Sequence, residues 1–83
     1  MLQVSVISPE QTLYEGEASS VVAPAYDGEV GILTGHAPMK ALLGSGTLRL
    51  SGGGSDQRFT VEGGFLQVAD DVVRIVTERA SRV

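Results

Sequence analysis

The chain has 83 residues, 42% of them hydrophobic and 19% charged, with no cysteine and a net charge of −4. That length supports one core, hence a single domain over 1–83 of roughly 4–12 kcal/mol total stability, and the lack of cysteine excludes disulfide staples and thiolate metal sites. The acidic balance argues against nucleic acid as a partner, and no apolar run reaches the ~18 residues of a spanning helix, so direct membrane insertion is not expected.

From Leu2 to Val6 apolar residues alternate with Gln3 and Ser5, the period-two pattern of a half-buried strand that Pro9 ends. Thr12–Glu17 and Ala18–Ala23 read as two further strands with a bulge or bend near Gly16, closed by Pro24. Residues 26–38 form a glycine-punctuated run in which Gly28, Gly31 and Gly35 admit dihedrals closed to other residues, while Pro38 fixes its own φ and turns Ala37 away from helical geometry. The sole helix candidate is His36–Leu43, limited by Pro38 and its shortness to at most one turn near 36–40. Met39–Leu43 and Thr47–Ser51 flank Gly44-Ser45-Gly46, a turn signal of hairpin length. The run 51–56 reads as a flexible hairpin loop, Arg58–Glu62 as a strand with Phe59 and Val61 inward, and Gly63-Gly64 as a turn or kink. Phe65–Ala69 and Val72–Thr77 complete the strands around an Asp70-Asp71 turn, and Glu78–Val83 reads as a tail that frays or leans on a partner. The sum is an all-β fold, one flattened sandwich or barrel of about ten short strands.

Little here carries catalysis. His36 is the only imidazole, and no serine lies in a nucleophile-elbow setting. Asp70 and Asp71 are adjacent, so on a strand they would point to opposite faces; a turn explains them better than a carboxylate pair. Glycines 52–54 lack the Gly-Lys-Ser/Thr and helix that cradle phosphate. No enzyme activity, metal or cofactor is expected. His36 fits a locally bonded turn residue and an interaction-face contact equally well, and Glu29 is either a solvated charge or an acceptor for a partner's donors.

Residues 27–38, Asp-Gly-Glu-x-Gly-Ile-Leu-x-Gly-His-Ala-Pro, resemble the N-terminal β-domain of the epsilon subunit of F-type ATP synthases, called delta in mitochondria. The likeness extends through Val4–Glu10 and Leu13–Ala18, Val21–Pro24, Ala41–Gly46 ahead of Leu48-Arg49-Leu50, and Glu62–Val68. Thr34 stands where the family usually has proline and Gln67 where it usually has glutamate. The resemblance implies a non-catalytic rotor protein of the central stalk, joining the gamma subunit to the c ring of a proton-translocating F-type ATP synthase at the cytoplasmic face of the bacterial inner membrane. It places Asp27, Gly28 and Glu29 against the c ring and Ser8, His36, Ala37, Pro38, Met39 and Leu42 against gamma. The family's C-terminal helical pair would begin where these residues stop, so no inhibitory or ATP-sensing arm is expected. One alternative is a biotinyl or lipoyl carrier modified at Lys40, since Met39-Lys40 is similar to the carriers' Met-Lys pair. A generic β-sandwich interaction module is another.

Overall fold

In the computed structural model, which describes residues 1–54 and 56–83, ten strands form two five-stranded sheets. They are β1 (Leu2–Ile7), β2 (Thr12–Ala18), β3 (Ser20–Ala25), β4 (Gly28–Leu33), β5 (Met39–Leu42), β6 (Ser45–Ser51), β7 (Gln57–Glu62), β8 (Phe65–Ala69), β9 (Val72–Val76) and β10 (Arg79–Arg82). One sheet runs β2-β1-β9-β8-β5 and the other β10-β7-β6-β3-β4. All pairings are antiparallel except β1 with β9. The sheets stack into a body of 27 × 26 × 19 Å, so the expected all-β, flattened sandwich is what forms.

Alternation decides the inward faces. Leu2, Val4 and Val6 of β1, Val73 and Ile75 of β9, and Leu66 and Val68 of β8 meet Val21, Ile32, Leu48, Leu50, Phe59 and Val61 of the second sheet, all with at most 2% exposure. Because side chains on a strand repeat every second residue, a one-residue slip would expose this whole set, so burial of one face fixes the register. The single buried polar side chain among the described residues, Thr77, is satisfied: its hydroxyl lies 3.0 Å from the Arg79 carbonyl and 3.2 Å from that of Glu62.

Several local expectations change. No helical turn forms at 36–40; residues 39–42 are strand β5. Gly44-Ser45-Gly46 is not a hairpin turn, because β5 pairs with β8 in one sheet while β6 pairs with β7 and β3 in the other. The chain crosses between sheets there, Gly44 N–H donating to the Pro24 carbonyl at 2.8 Å. β2 passes straight through Gly16, opposite Val4, and the irregularity comes instead at Val6/Ile7. Of the run at 52–54, Gly53 is no loose linker: a Cβ there would fall 2.1 Å from the Glu17 carbonyl oxygen. Ser55 in this loop lies outside the described residues.

The tail is the largest correction. Arg79–Arg82 forms β10 on the edge of β7, in register from Arg79↔Glu62 to Arg82↔Phe59. Its anchor is Arg82, whose guanidinium sits 4.9 Å from the centroid of the Phe59 ring, donates to the Leu13 carbonyl at 2.8 Å and reaches the Gln57 side chain. Tyr14 meets the same Phe59 ring edge-on, with centroids 6.5 Å apart. One buried aromatic thus joins β2, β7 and β10.

Two substitutions test these contacts by thermal melting. Arg82→Ala should destabilise by about 1–2 kcal/mol and expose 79–83 to proteolysis, since a cation–π contact and a backbone hydrogen bond go together. Gly53→Ala, harmless in a free linker, should lower stability by about 1–3 kcal/mol because the loop must lift from Glu17.

Candidate functional site

The segment from β3 to β5 is built around two turns. In the β3–β4 hairpin the pair Ala25↔Gly28 brackets Tyr26 and Asp27. Neither turn residue has positive φ, so the turn is not of the primed kind whose twist suits a two-residue hairpin; Gly28, at φ 135°, absorbs the mismatch. This holds Asp27, Gly28 and Glu29 exposed at the hairpin tip. Glu29 is not a bare charge: a carboxylate oxygen lies 3.5 Å from an Arg49 guanidinium nitrogen, with both side chains about half exposed or more (61% and 45%). In that setting the pair contributes about 0–1 kcal/mol and leaves the carboxylate open to a second donor.

The second turn, Leu33–His36, is closed by His36 N–H to the Leu33 carbonyl at 3.1 Å, with Gly35 at φ 87° in its third position. That is type II geometry, in which position two, here Thr34, favours proline. The Asp71 carboxylate clamps the turn by accepting from Gly35 N–H at 2.7 Å. Asp70 and Asp71 form the β8–β9 turn with φ of 51° and 61°, strained values for non-glycine residues. The expected turn is there, and it has a job the sequence did not show. His36 Nδ1 lies 2.7 Å from the Ala37 carbonyl, which can only accept, so Nδ1 carries the proton and Nε2 is left free.

The two sets of expected contact residues partly converge. Asp27, Gly28 and Glu29 form one wall and Met39, Lys40 and Leu42 the other of an open groove of about 610 Å³. The walls are tied by Tyr26 N–H to the Leu42 carbonyl at 2.8 Å and by the Ala25↔Leu43 bridge. Ser8 does not join them. It follows Ile7 at the end of β1, where its N–H and hydroxyl both bond the Gln11 carbonyl. Pro38 precedes Met39, whose row across the sheet is Val68, Val73 and Val4, and so aligns with Gln3; Ser8 and Pro38 are separated by about 17 Å along the strands.

Sequence reasoning missed a row on the outer face of the first sheet: Leu42, Phe65, Val76 and Ile7 lie side by side across β5, β8, β9 and β1. Leu42 is 66% and Phe65 41% exposed. Only Leu42 was singled out, because alternation identifies inward positions and says nothing of which outward ones line up across strands distant in sequence. Leu43, beside Leu42 on the opposite face, is buried. Lys40 lies inside β5 opposite Gln67, not at a hairpin apex, which leaves the carrier-domain alternative without its defining feature.

This chain matches, over residues 1–83, the family described as the β-sandwich domain of the ATP synthase delta/epsilon chain. It belongs to that family. It is 48% identical over 80 residues to the ATP synthase epsilon chain of Leptospira borgpetersenii, covering 96% of this chain and 63% of that protein. The epsilon chain of Frankia casuarinae is 41% identical over 80 residues, with 95% of this chain and 94% of that protein covered. The chain thus spans somewhat under two thirds of the Leptospira protein and nearly all of the Frankia one. Among solved structures, a chain of the Euglena gracilis mitochondrial ATP synthase, in a cryo-EM structure of OSCP, F1 and c-ring, superposes with a TM-score of 0.89 at 25% identity, covering 98% of this chain and 52% of that one. A chain of the Tetrahymena thermophila mitochondrial ATP synthase central stalk and c-ring shares the fold, with a TM-score of 0.78 at 16% identity over 96% of this chain and 65% of that one.

Within this delta/epsilon sandwich the Thr34 turn gives a direct test. Thr34→Pro should stabilise by about 0.4–1 kcal/mol, because the turn already holds the φ that proline fixes and Leu33 is extended, and the melting temperature should rise by a few degrees. Asp71→Ala should speed amide exchange at Gly35 by removing its acceptor, an effect absent in Asp70→Ala.

Proposed function

We infer that the 83 residues act as one non-catalytic unit of the central stalk of a proton-translocating F-type ATP synthase, linking the gamma shaft to the c ring and so coupling ATP synthesis to ion movement. The observation that carries this is the family match over residues 1–83, together with epsilon-chain relatives at 41–48% identity. In this reading the domain works peripherally, at the cytoplasmic face of the bacterial plasma membrane, held by the assembly.

The geometry suits a mechanical role. Two sheets with interdigitated side chains resist shear because sliding one past the other would open voids in a close-packed interior. Recognition falls to the rim and outer faces. The tip residues Asp27, Gly28 and Glu29 present a rigid, acidic corner to the ring, where Glu29 offers an acceptor to arginine or amide donors. Leu42, with the apolar row that continues from it, faces the shaft; Met39, on the opposite face of β5 and packed against the core, reaches it only through the groove, and His36, Ala37 and Pro38 extend that side; Ser8 adds a contact at the far end of β1. An interface of about 1,000 Å² in total takes about 500 Å² from this partner, a small part of its 4730 Å² surface, so two such contacts fit without overlap.

Pull-down with tagged protein from ATP synthase-containing bacterial membranes should bring the head and shaft subunits with it; recovery of neither ends this reading. Glu29→Lys should change melting by no more than about 1 kcal/mol in stability terms, since its ion pair is exposed. In reconstituted complexes the same substitution should weaken the coupling of ATP hydrolysis to proton pumping, and full coupling would remove Glu29 from the ring contact.

A further inference from the structure

A sandwich of two open sheets has four edge strands, and three of them here carry recognisable protection. β10 is four residues long with an arginine at each end, β5 is four residues long, carries Lys40 and is bonded on its far side by Tyr26 N–H, and β2 has the register irregularity and the exposed Glu15 and Glu17. Short length, charges and bulges are the usual devices that keep an edge from pairing with another chain. β4 has almost none. It is six residues long, holds an unbroken register against β3, and contains no lysine, arginine, proline or bulge.

Its outward hydrogen-bonding groups can be assigned. Pro24 has no N–H, and its carbonyl accepts from Gly44 on the side away from β4, so the Pro24↔Glu29 pair exchanges no hydrogen bonds. Antiparallel alternation then turns the N–H and C=O of Glu29, Gly31 and Leu33 away from β3. The Leu33 carbonyl confirms the direction, since it accepts from His36 N–H. What remains unpaired by backbone among the described residues is the N–H and C=O of Glu29 and Gly31 and the N–H of Leu33.

Gly31 adds a second observation. It sits mid-strand, where glycine weakens a strand, yet its φ is not in the left-handed region and a Cβ placed there would meet nothing within 4 Å. The expectation that Gly31 serves an unusual dihedral therefore fails, and nothing inside this chain requires it. A mid-strand glycine often marks a bulge, a tight bend or a close approach by a ligand or another backbone, and the unbroken register here leaves no bulge. Two exposed apolar side chains bracket the edge, Tyr26 at 80% and Leu33 at 63%.

We propose that β4 is a docking edge for an extended segment of the gamma shaft subunit, which adds a sixth strand to the second sheet by pairing with the backbone of Glu29, Gly31 and Leu33. The assignment rests on the rotor reading above. The apolar brackets select the shaft over the ring, because through the Tyr26–Leu42 link they continue the apolar surface assigned to the shaft above, while the ring is assigned the acidic tip. Side chains stand perpendicular to a sheet while backbone groups lie in its plane, so the Glu29 carboxylate stays available to the ring while its main chain pairs at the edge. β-Strand addition of this kind draws affinity from main-chain hydrogen bonds.

Amide exchange on the 83-residue chain, alone and with purified gamma subunit, tests the edge directly. The amides of Glu29, Gly31 and Leu33 should slow by about tenfold or more in the complex, as expected for newly paired strand N–H groups. Gly31→Pro removes the outward N–H without breaking an internal bond and should weaken gamma binding by about tenfold or more; Gly31→Ala, whose Cβ meets nothing in the free chain but stands where the incoming backbone approaches, should keep the parent's melting temperature and also bind more weakly. If Gly31→Pro fails to fold, the exchange result decides. Unprotected amides on gamma binding overturn the proposal, as do unchanged affinity of a folded Gly31→Pro, protection by isolated c ring instead of gamma, or protection by self-association seen in sedimentation. If the parent chain binds neither gamma nor the ring, the rotor reading itself falls; if it binds gamma and the edge amides stay exposed, only the edge assignment does.

Discussion

Backbone hydrogen bonding at the edges of the two sheets is the constraint on which the rest of this structure depends. Ten strands averaging under six residues bury enough apolar surface for one core, but they also create four edges whose N–H and C=O groups need a partner or water. Much of the irregular detail answers that need. The tail is drawn onto β7, the Tyr26 amide is turned to the Leu42 carbonyl, and the Gly44 amide to that of Pro24. Each of these joins segments far apart in sequence, so edge satisfaction and tertiary closure are the same event.

The parallel pair β1 and β9 has a related consequence. It places the first and ninth strands at the centre of one sheet, with Val4 beside Val73 and Val6 beside Ile75. Each has a local partner, β2 and β8, but the ladder between β1 and β9 joins residues 3–7 to 72–76, so that central contact is non-local and forms only when nearly the whole chain is available. A domain closed in this way resists partial opening: releasing the C-terminal strands removes one of the two partners of β1 and the Arg82 contact on Phe59 together. In the rotor reading proposed above, that cooperativity matters more than total stability.

Strand content was legible where one face is apolar and the other is not. Leu2, Val4 and Val6, Leu48 and Leu50, and Phe59 and Val61 alternate, and all are buried. The 79–82 strand was not legible, because Arg-Ala-Ser-Arg has no alternation; it is a strand because β7 offers an edge and Phe59 offers a ring to Arg82. Likewise 28–33, read as a shaped glycine run, is an ordinary strand whose glycines have separate causes, Gly28 in a turn and Gly31 in none that the fold supplies. Of the candidate site, the residue types came from family likeness and the juxtaposition of 27–29 with 39–42 came only from the sheet order. Local pattern reports burial; it does not report which strands become neighbours.

That division explains why the candidate interaction surface is assembled from parts that look ordinary singly. Leu42, Phe65, Val76 and Ile7 each follow a strand's ordinary outward position, and a scattered exposed apolar residue needs no explanation. Laid side by side by the order β5-β8-β9-β1 they become a continuous strip, bounded on its next row by Lys40, Gln67, Arg74 and Ser5. A strip of this kind on one outer face and an acidic tip beside the groove give the domain two chemically distinct surfaces at fixed relative orientation. The proposed joining of two partners would need those surfaces held by one rigid core, and here both are carried on strands whose opposite faces are the core itself.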